Sequence, residues 1–156
     1  MSLKLDRNYD GPVYLAADHA GYELKEYIQD LLSERGYKVT DLGAHELDPL
    51  DDYPDMVRPA AEEVGKSHHA RAIIFGKSGE GEAMTANRLD GVRAAVYTGG
   101  DLKIVRLARE HNNANVLSIG ADFVKPEEAW EAVHLFLGTV FAGAERHVRR
   151  IHEIDE

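Results

Sequence analysis

The sequence predicts an α/β fold in which a parallel sheet of five strands is covered on both faces by helices. Two observations carry this. Short apolar runs bounded by turn residues alternate along the chain with longer segments of helical periodicity, the pattern of strands joined by helical crossovers. No internal repeat, low-complexity tract or linker interrupts that alternation, so residues 1–156 are expected to form a single domain.

The elements follow in order. Val13-Tyr14-Leu15-Ala16-Ala17 reads as a buried strand ending at Asp18-His19. A helix is predicted over 21–35, because Leu24, Tyr27, Ile28, Leu31 and Leu32 share one face and Gly36 supplies a stop. Residues 37–42 form a second strand and 43–53 an acidic loop; Pro54 opens a helix to Ser67, with Pro59 a break risk inside it. Residues 71–75 and 92–97 are the third and fourth strands, separated by a glycine-rich turn and a helix beginning near Ala83. A helix over 100–110 leads to the fifth strand, 115–119, then to a helix over 126–137 with Pro126 in its first turn. The basic run Arg146-His147-Val148-Arg149-Arg150 marks a C-terminal helix.

Composition narrows the function. The net charge of −10 disfavours a nucleic-acid binder, which needs a basic face, but leaves room for one small phosphorylated ligand held by local arginines. There is no cysteine, hence no disulfide or thiolate chemistry. The N-terminal residues lack a signal-peptide core, and no apolar run reaches membrane-spanning length, so a cytoplasmic setting is expected.

The densest chemistry lies after the third strand, in Gly76-Lys77-Ser78-Gly79-Glu80-Gly81-Glu82. Glycines let backbone N–H groups crowd an anion, and a helix start adds the positive end of its dipole. Glu82 would then hang a general base over that anion, a combination suited to proton transfer beside a developing oxyanion. Two nucleotide motifs are excluded. A P-loop ending at Gly76-Lys77-Ser78 needs a glycine where Arg71 stands, and a dinucleotide fingerprint from Gly79 meets Met84 where its third glycine belongs.

Other candidates keep two readings. Asp18-His19 is either a helix cap with a solvent-facing histidine or a polar pair at the sheet's ligand edge. His111 and Asn112 either cap a helix or serve a site. Arg146 and Arg150, four residues apart, are either a solvated face or a phosphate clamp. Eight histidines raise the question of a metal, but no HExxH-type spacing occurs and His68-His69 need not converge; no metal or other cofactor is expected.

Taken together, the segments Ala17-Asp18-His19-Ala20-Gly21-Tyr22-Glu23-Leu24-Lys25, Asp52-Tyr53-Pro54-Asp55, Gly76 to Glu82, Ala86-Asn87-Arg88, Gly91-Val92-Arg93-Ala94-Ala95, Ala108 to Leu117 and Arg146 to Ile151 resemble the type B ribose-5-phosphate isomerases. Galactose-6-phosphate isomerase subunits belong to the same family. The resemblance implies a Rossmann-like three-layer α/β/α sandwich with a C-terminal basic helix. It further implies a homodimer or tetramer whose metal-free sites are shared between subunits, and a phosphorylated sugar as substrate.

Residue roles are also implied. One branch of the family uses a cysteine base where Gly76 stands, so the glutamate branch applies and Glu82 would move the proton between C1 and C2 of the open-chain aldose. Backbone N–H groups of Gly76, Lys77, Ser78, Gly79, Glu80, Gly81 and Glu82 would hold the enediolate oxygen, and Ser78 would help move the hydroxyl proton. Asp18 would grip hydroxyls, His111 would help open the ring, and Asn112 would orient nearby oxygens. His19, Arg146 and Arg150 would receive the phosphate, with Tyr53 at the pocket edge. The chain departs from the family at Asp122, where many members carry a phosphate-contacting arginine; Lys77 is a candidate replacement for that charge. An alternative therefore stands: a non-catalytic sugar-phosphate binder, or one subunit of a hetero-oligomeric hexose-6-phosphate isomerase.

Overall fold

A computed structural model describes residues 9–156. In chain order the elements are β1 (Pro12–Ala17), α1 (Tyr22–Glu34), β2 (Lys38–Asp41), α2 (Tyr53–Gly65), β3 (Arg71–Gly76), α3 (Glu80–Ala86), β4 (Ala94–Tyr97), α4 (Lys103–Glu110), β5 (Val116–Gly120), α5 (Pro126–Gly138) and α6 (Glu145–Asp155). The five strands pair in parallel in the order β2-β1-β3-β5-β4.

Side chains alternate across β3 with period two, and that alternation builds the three layers. Ile73 and Phe75 face one core with Leu24, Ile28 and Leu32 of α1, Val105 of α4 and Val133 and Phe136 of α5. Ala72 and Ile74 face the other, with Val57, Ala60 and Val64 of α2 and Ala86 of α3. All of these are fully excluded from water except Leu24 (8% exposed) and Val105 and Val64 (1% each), each large side chain contributing roughly 1.5–3 kcal/mol.

Three expectations shift. Helix α3 begins at Glu80, not near Ala83, because Gly79 turns the chain at φ +80° and releases Glu80 directly into helical geometry. Helix α4 begins at Lys103, after Gly99 and Gly100 take positive φ values and hold a turn. Pro59 does not break α2: the bond it cannot donate would go to the carbonyl of Asp55 in the first turn, and the helix runs on to Gly65. Helix α6 is present, but its three arginines are matched by Glu145, Glu153 and Asp155, so only its first half is basic.

The order of strands places a switch point between β1 and β3. Chain leaving β1 turns toward β2 on one side, and chain leaving β3 turns toward β4 and β5 on the other. In such sheets the crevice outside the carboxyl ends of the diverging strands is where ligands bind.

A divided candidate active site

At the end of β1, Asp18 is 5% exposed. Its Oδ1 accepts from the N–H groups of Ala20 (3.0 Å) and Gly21 (3.2 Å), an Asx turn that starts α1. Gly21 is required there, since a Cβ would lie 2.5 Å from the backbone of Phe75. Asp18 therefore organises the turn, and it does so at the carboxyl end of β1.

Across the switch point, Gly76 ends β3 and Glu82 returns over it from α3. A Cβ on residue 76 would meet Glu82 Oε1 at 1.8 Å, so the carboxylate occupies the volume that any side chain at 76 would need. Glu82 is 4% exposed. Burial raises its pKa above the ordinary carboxylate value, its own backbone N–H opposes that rise, and negative charge on Asp18 and Glu80 adds to it. Asp18 is likewise raised, chiefly by burial. Two buried carboxyls at the crevice, both pushed toward neutrality by burial, suit a base that must both accept and return a proton.

The loop that carries Ser78 is pinned from β5. Ser118, fully buried, donates its hydroxyl to the carbonyl of Gly79 at 2.6 Å. Ser78 Oγ accepts from the N–H of Glu80 at 3.3 Å and is half-buried. Only Lys77, Ser78 and Gly79 form the loop, because Glu80 and Gly81 already belong to α3. Gly81 lies against Tyr53, whose ring carbon would be 2.5 Å from a Cβ at 81; Tyr53, the first residue of α2 and 40% exposed, thus borders Glu82's helix as expected of a pocket edge.

Lys77 does not stand as an unopposed replacement for the arginine absent at 122. Its Nζ is 3.9 Å from Asp122 Oδ2, both side chains well exposed, so the two charges largely offset each other in a weak surface pair.

His19 is held by a residue the sequence reading passed over. Asp51, in the loop before α2, accepts at the same Oδ1 from the backbone N–H of His19 (3.1 Å) and from its ring Nδ1 (2.6 Å). The hydrogen bond to Asp51 raises the His19 pKa, opposed by partial desolvation and reinforced by Asp18 and Asp48. The only signal in the sequence was position: Asp51 directly precedes Asp52-Tyr53-Pro54-Asp55 inside an acidic run, where nothing distinguishes it. The ligating atoms of Asp18, His19 and Asp51 all lie within 4.8 Å of one another, and the short Nδ1–Oδ1 contact reads as a hydrogen-bonded pair.

The remaining expected residues are elsewhere. His111 caps the C-terminus of α4, which runs from the carboxyl edge of the sheet back to its amino edge, and Asn112 follows it. His111 stacks on His147 of α6, ring centroids 4.3 Å apart at 17°. Arg146 and Arg150 flank His147 and are exposed; desolvation lowers the His147 pKa, and His111 and the two arginines lower it further. Beyond that cap, Asn113 turns the chain at φ +46°, and Arg109 donates to its side chain at 2.9 Å. His111, Asn112, Arg146 and Arg150 thus form one cluster at the amino edge, while Asp18, His19, Tyr53, Ser78 and Glu82 form another at the carboxyl edge. Five or six strand residues separate the edges, about 16–20 Å. No single small sugar reaches both within one chain.

Among the described residues no helix is long and apolar enough to cross a membrane. The family described as Ribose/Galactose Isomerase matches residues 13–154. A probable ribose-5-phosphate isomerase B of Mycoplasma pneumoniae is 41% identical over 143 residues, 92% of each chain. Ribose-5-phosphate isomerase B of Mycobacterium tuberculosis is 40% identical over 144 residues, covering 92% of this chain and 88% of the relative. Among solved structures, ribose-5-phosphate isomerase B of Mycoplasma genitalium with bound ribulose-5-phosphate superposes with a TM-score of 0.88 at 39% identity, over 92% of this chain and 93% of that one. A ribose 5-phosphate isomerase of Thermotoga maritima gives 0.86 at 36% identity, over 93% and 97%.

Proposed function

The chain belongs to the Ribose/Galactose Isomerase family and is an aldose–ketose isomerase, and from that premise we propose that it interconverts ribose 5-phosphate and ribulose 5-phosphate through an enediolate, with Glu82 as the base. The observation that carries the base assignment is Glu82 lying buried over Gly76 with its pKa raised.

In this reading Glu82 removes the proton from C2 of the open-chain aldose and returns it to C1. The negative charge moves onto the former carbonyl oxygen, where N–H groups of the Gly76–Gly81 segment stabilise it; one such donor is worth about 3–4 kcal/mol by analogy with acyl-transfer oxyanion holes. Ser78 moves the proton between the two oxygens, and Asp18 grips hydroxyls. His19 takes the phosphate from the same chain. His111 and Asn112, with Arg146 and Arg150, come from a second copy of the chain, because the two clusters occupy opposite edges of the sheet. The working unit is then a homodimer, or a tetramer of such pairs, acting in the cytoplasm as a single-domain enzyme.

The test is conversion of ribose 5-phosphate to ribulose 5-phosphate without added metal, beside a Glu82→Gln control. The expected result is turnover that the control loses by a factor of about a hundred to ten thousand, with folding retained. The acid limb of kcat/KM should lie above the ordinary glutamate range, since the base works only when ionised and burial raises its pKa. Undiminished turnover by Glu82→Gln would sink the assigned base. A second reading, favoured by Asp122 at the position of a phosphate arginine, concerns the substrate: a subunit of a hexose-6-phosphate isomerase. Conversion of a hexose 6-phosphate where ribose 5-phosphate is bound but not converted would select it.

A further inference from the structure

Within one chain, the carboxyl-edge shelf is strongly acidic. Asp18, Asp48, Asp51 and Glu82 all lie on or around it, and Lys77 of the glycine loop is engaged by Asp122. A phosphate dianion approaching this shelf is repelled unless some cation there is fixed in place. His19 is the histidine in position, and its side chain is 38% exposed, open to a ligand.

Asp51 supplies what fixes it. The Asp51 side chain is only 5% exposed, and its Oδ2 is buried with no hydrogen-bond partner. A buried carboxylate with one unsatisfied oxygen is costly, and two N–H groups of a single residue, the backbone and ring donors of His19, converge on the other oxygen. Were the ring neutral, or turned so that Nδ1 left Oδ1, the carboxylate would lose its charged partner. The contact therefore sets the ring's orientation, places a proton on Nδ1, and leaves Nε2 as the nitrogen that can meet a ligand.

We propose that Asp51 is a positioning residue for the phosphate group: it clamps His19 through Nδ1 and the backbone N–H so that Nε2–H is presented to the phosphate of the substrate. This rests on the isomerase reading above. The groups acting on His19 come from its own loop (Asp18) and from the loop before α2 (Asp48 and Asp51), and all are acidic, so they favour the imidazolium. A histidine whose pKa is raised keeps its charge further up the pH scale than a free imidazole, and the phosphate grip is lost as pH rises through that raised value.

Asp51→Asn tests this by two independent readouts. In the ligand-free enzyme, ring-nitrogen NMR of His19 should show its titration midpoint moving to lower pH. In steady-state assays with ribose 5-phosphate at neutral pH, KM should rise about tenfold while kcat changes little, and the alkaline limb of kcat/KM should move to lower pH. Asp51→Glu, which keeps the charge, should recover part of the affinity. In a His19→Asn background, Asp51→Asn should add almost nothing to KM, because the residue acts through the ring; that comparison also decides the matter if the single variant folds poorly. A lowered His19 midpoint with KM and alkaline limb unmoved would overturn the positioning role and leave the isomerase reading intact. Zinc- or manganese-dependent activity lost on chelation would also overturn it, since Asp51 would then be serving as a ligand. Turnover by Glu82→Gln bears on the base alone.

Discussion

At the scale of single residues, Glu82 and the glycine beneath it are one unit. The Gly76 position has no room for a Cβ because the Glu82 carboxylate fills it. A cysteine at that position and a glutamate at 82 in this pose exclude each other sterically, which gives the absence of cysteine in the sequence a structural counterpart. Burying Glu82 also has a consequence for stability. Its folded-state pKa is raised, so the native state binds a proton more tightly than the unfolded chain. Below the unfolded pKa both states are protonated and the residue contributes nothing. As pH rises from the unfolded value through the folded one, stability falls, and above the folded value the full penalty is present. Glu82→Gln removes that penalty while keeping the shape. Thermal denaturation should therefore show the variant gaining on the wild type as pH rises above the ordinary glutamate range. An advantage that shrinks as pH rises would mean the carboxylate is better solvated or paired in the native state than its burial indicates.

Elements, more than residues, decide which parts of the site could be read from sequence. Asp18, Ser78 and Glu82 were legible because each lies in the connection that leaves a strand in an alternating α/β pattern, Asp18 directly after β1 and Ser78 and Glu82 in the turn and first helical turn after β3, where topology alone brings them to one edge. Asp51 was not legible: it reaches His19 from a loop 32 residues away in sequence, and its acidic neighbours disguise it. Ser118 was hidden for a different reason. It lies inside β5, in a run that reads as core, yet its hydroxyl is spent on holding the Gly79 carbonyl of another connection. Helix starts moved at two turns where glycines take positive φ, Gly79 and Gly99-Gly100, because composition marks a turn without saying on which residue the helix resumes. Ser118→Ala should test how far β5 governs the loop. Losing the bond removes one of the two hydrogen bonds to the Gly79 carbonyl, which keeps the N–H of Ala83, and should cost about 0.5–1.5 kcal/mol of stability. Because the loop carries Ser78 and leads into Glu82, kcat should fall more than KM rises. Equal stability with unchanged kcat would show that the loop holds its geometry without this anchor.

For the whole molecule, the division of the expected residues between two edges of the sheet is the constraint that matters most. A crossover helix must begin at the carboxyl edge and end at the amino edge, so a residue at the close of α4, such as His111, can never meet Glu82 at the start of α3 within one chain of this topology. Stacking on His147 then draws the first turns of α6 and their arginines into the same cluster, away from Glu82. If catalysis needs both sets, it needs two copies, and isologous pairing would complete two equivalent sites. Mixed subunits separate this from any arrangement within one chain. Glu82→Gln and His111→Ala, each inactive alone, should regain activity when co-refolded, because every hybrid dimer carries one site with an intact Glu82 from one subunit and an intact His111 from the other. Random pairing makes about half of the dimers hybrid with one working site of two, so recovery should approach about a quarter of the wild-type rate. Sites closed within a single chain would give no recovery at any mixing ratio. A tetramer built from such pairs would give the same fraction, since the shared site still counts only two subunits.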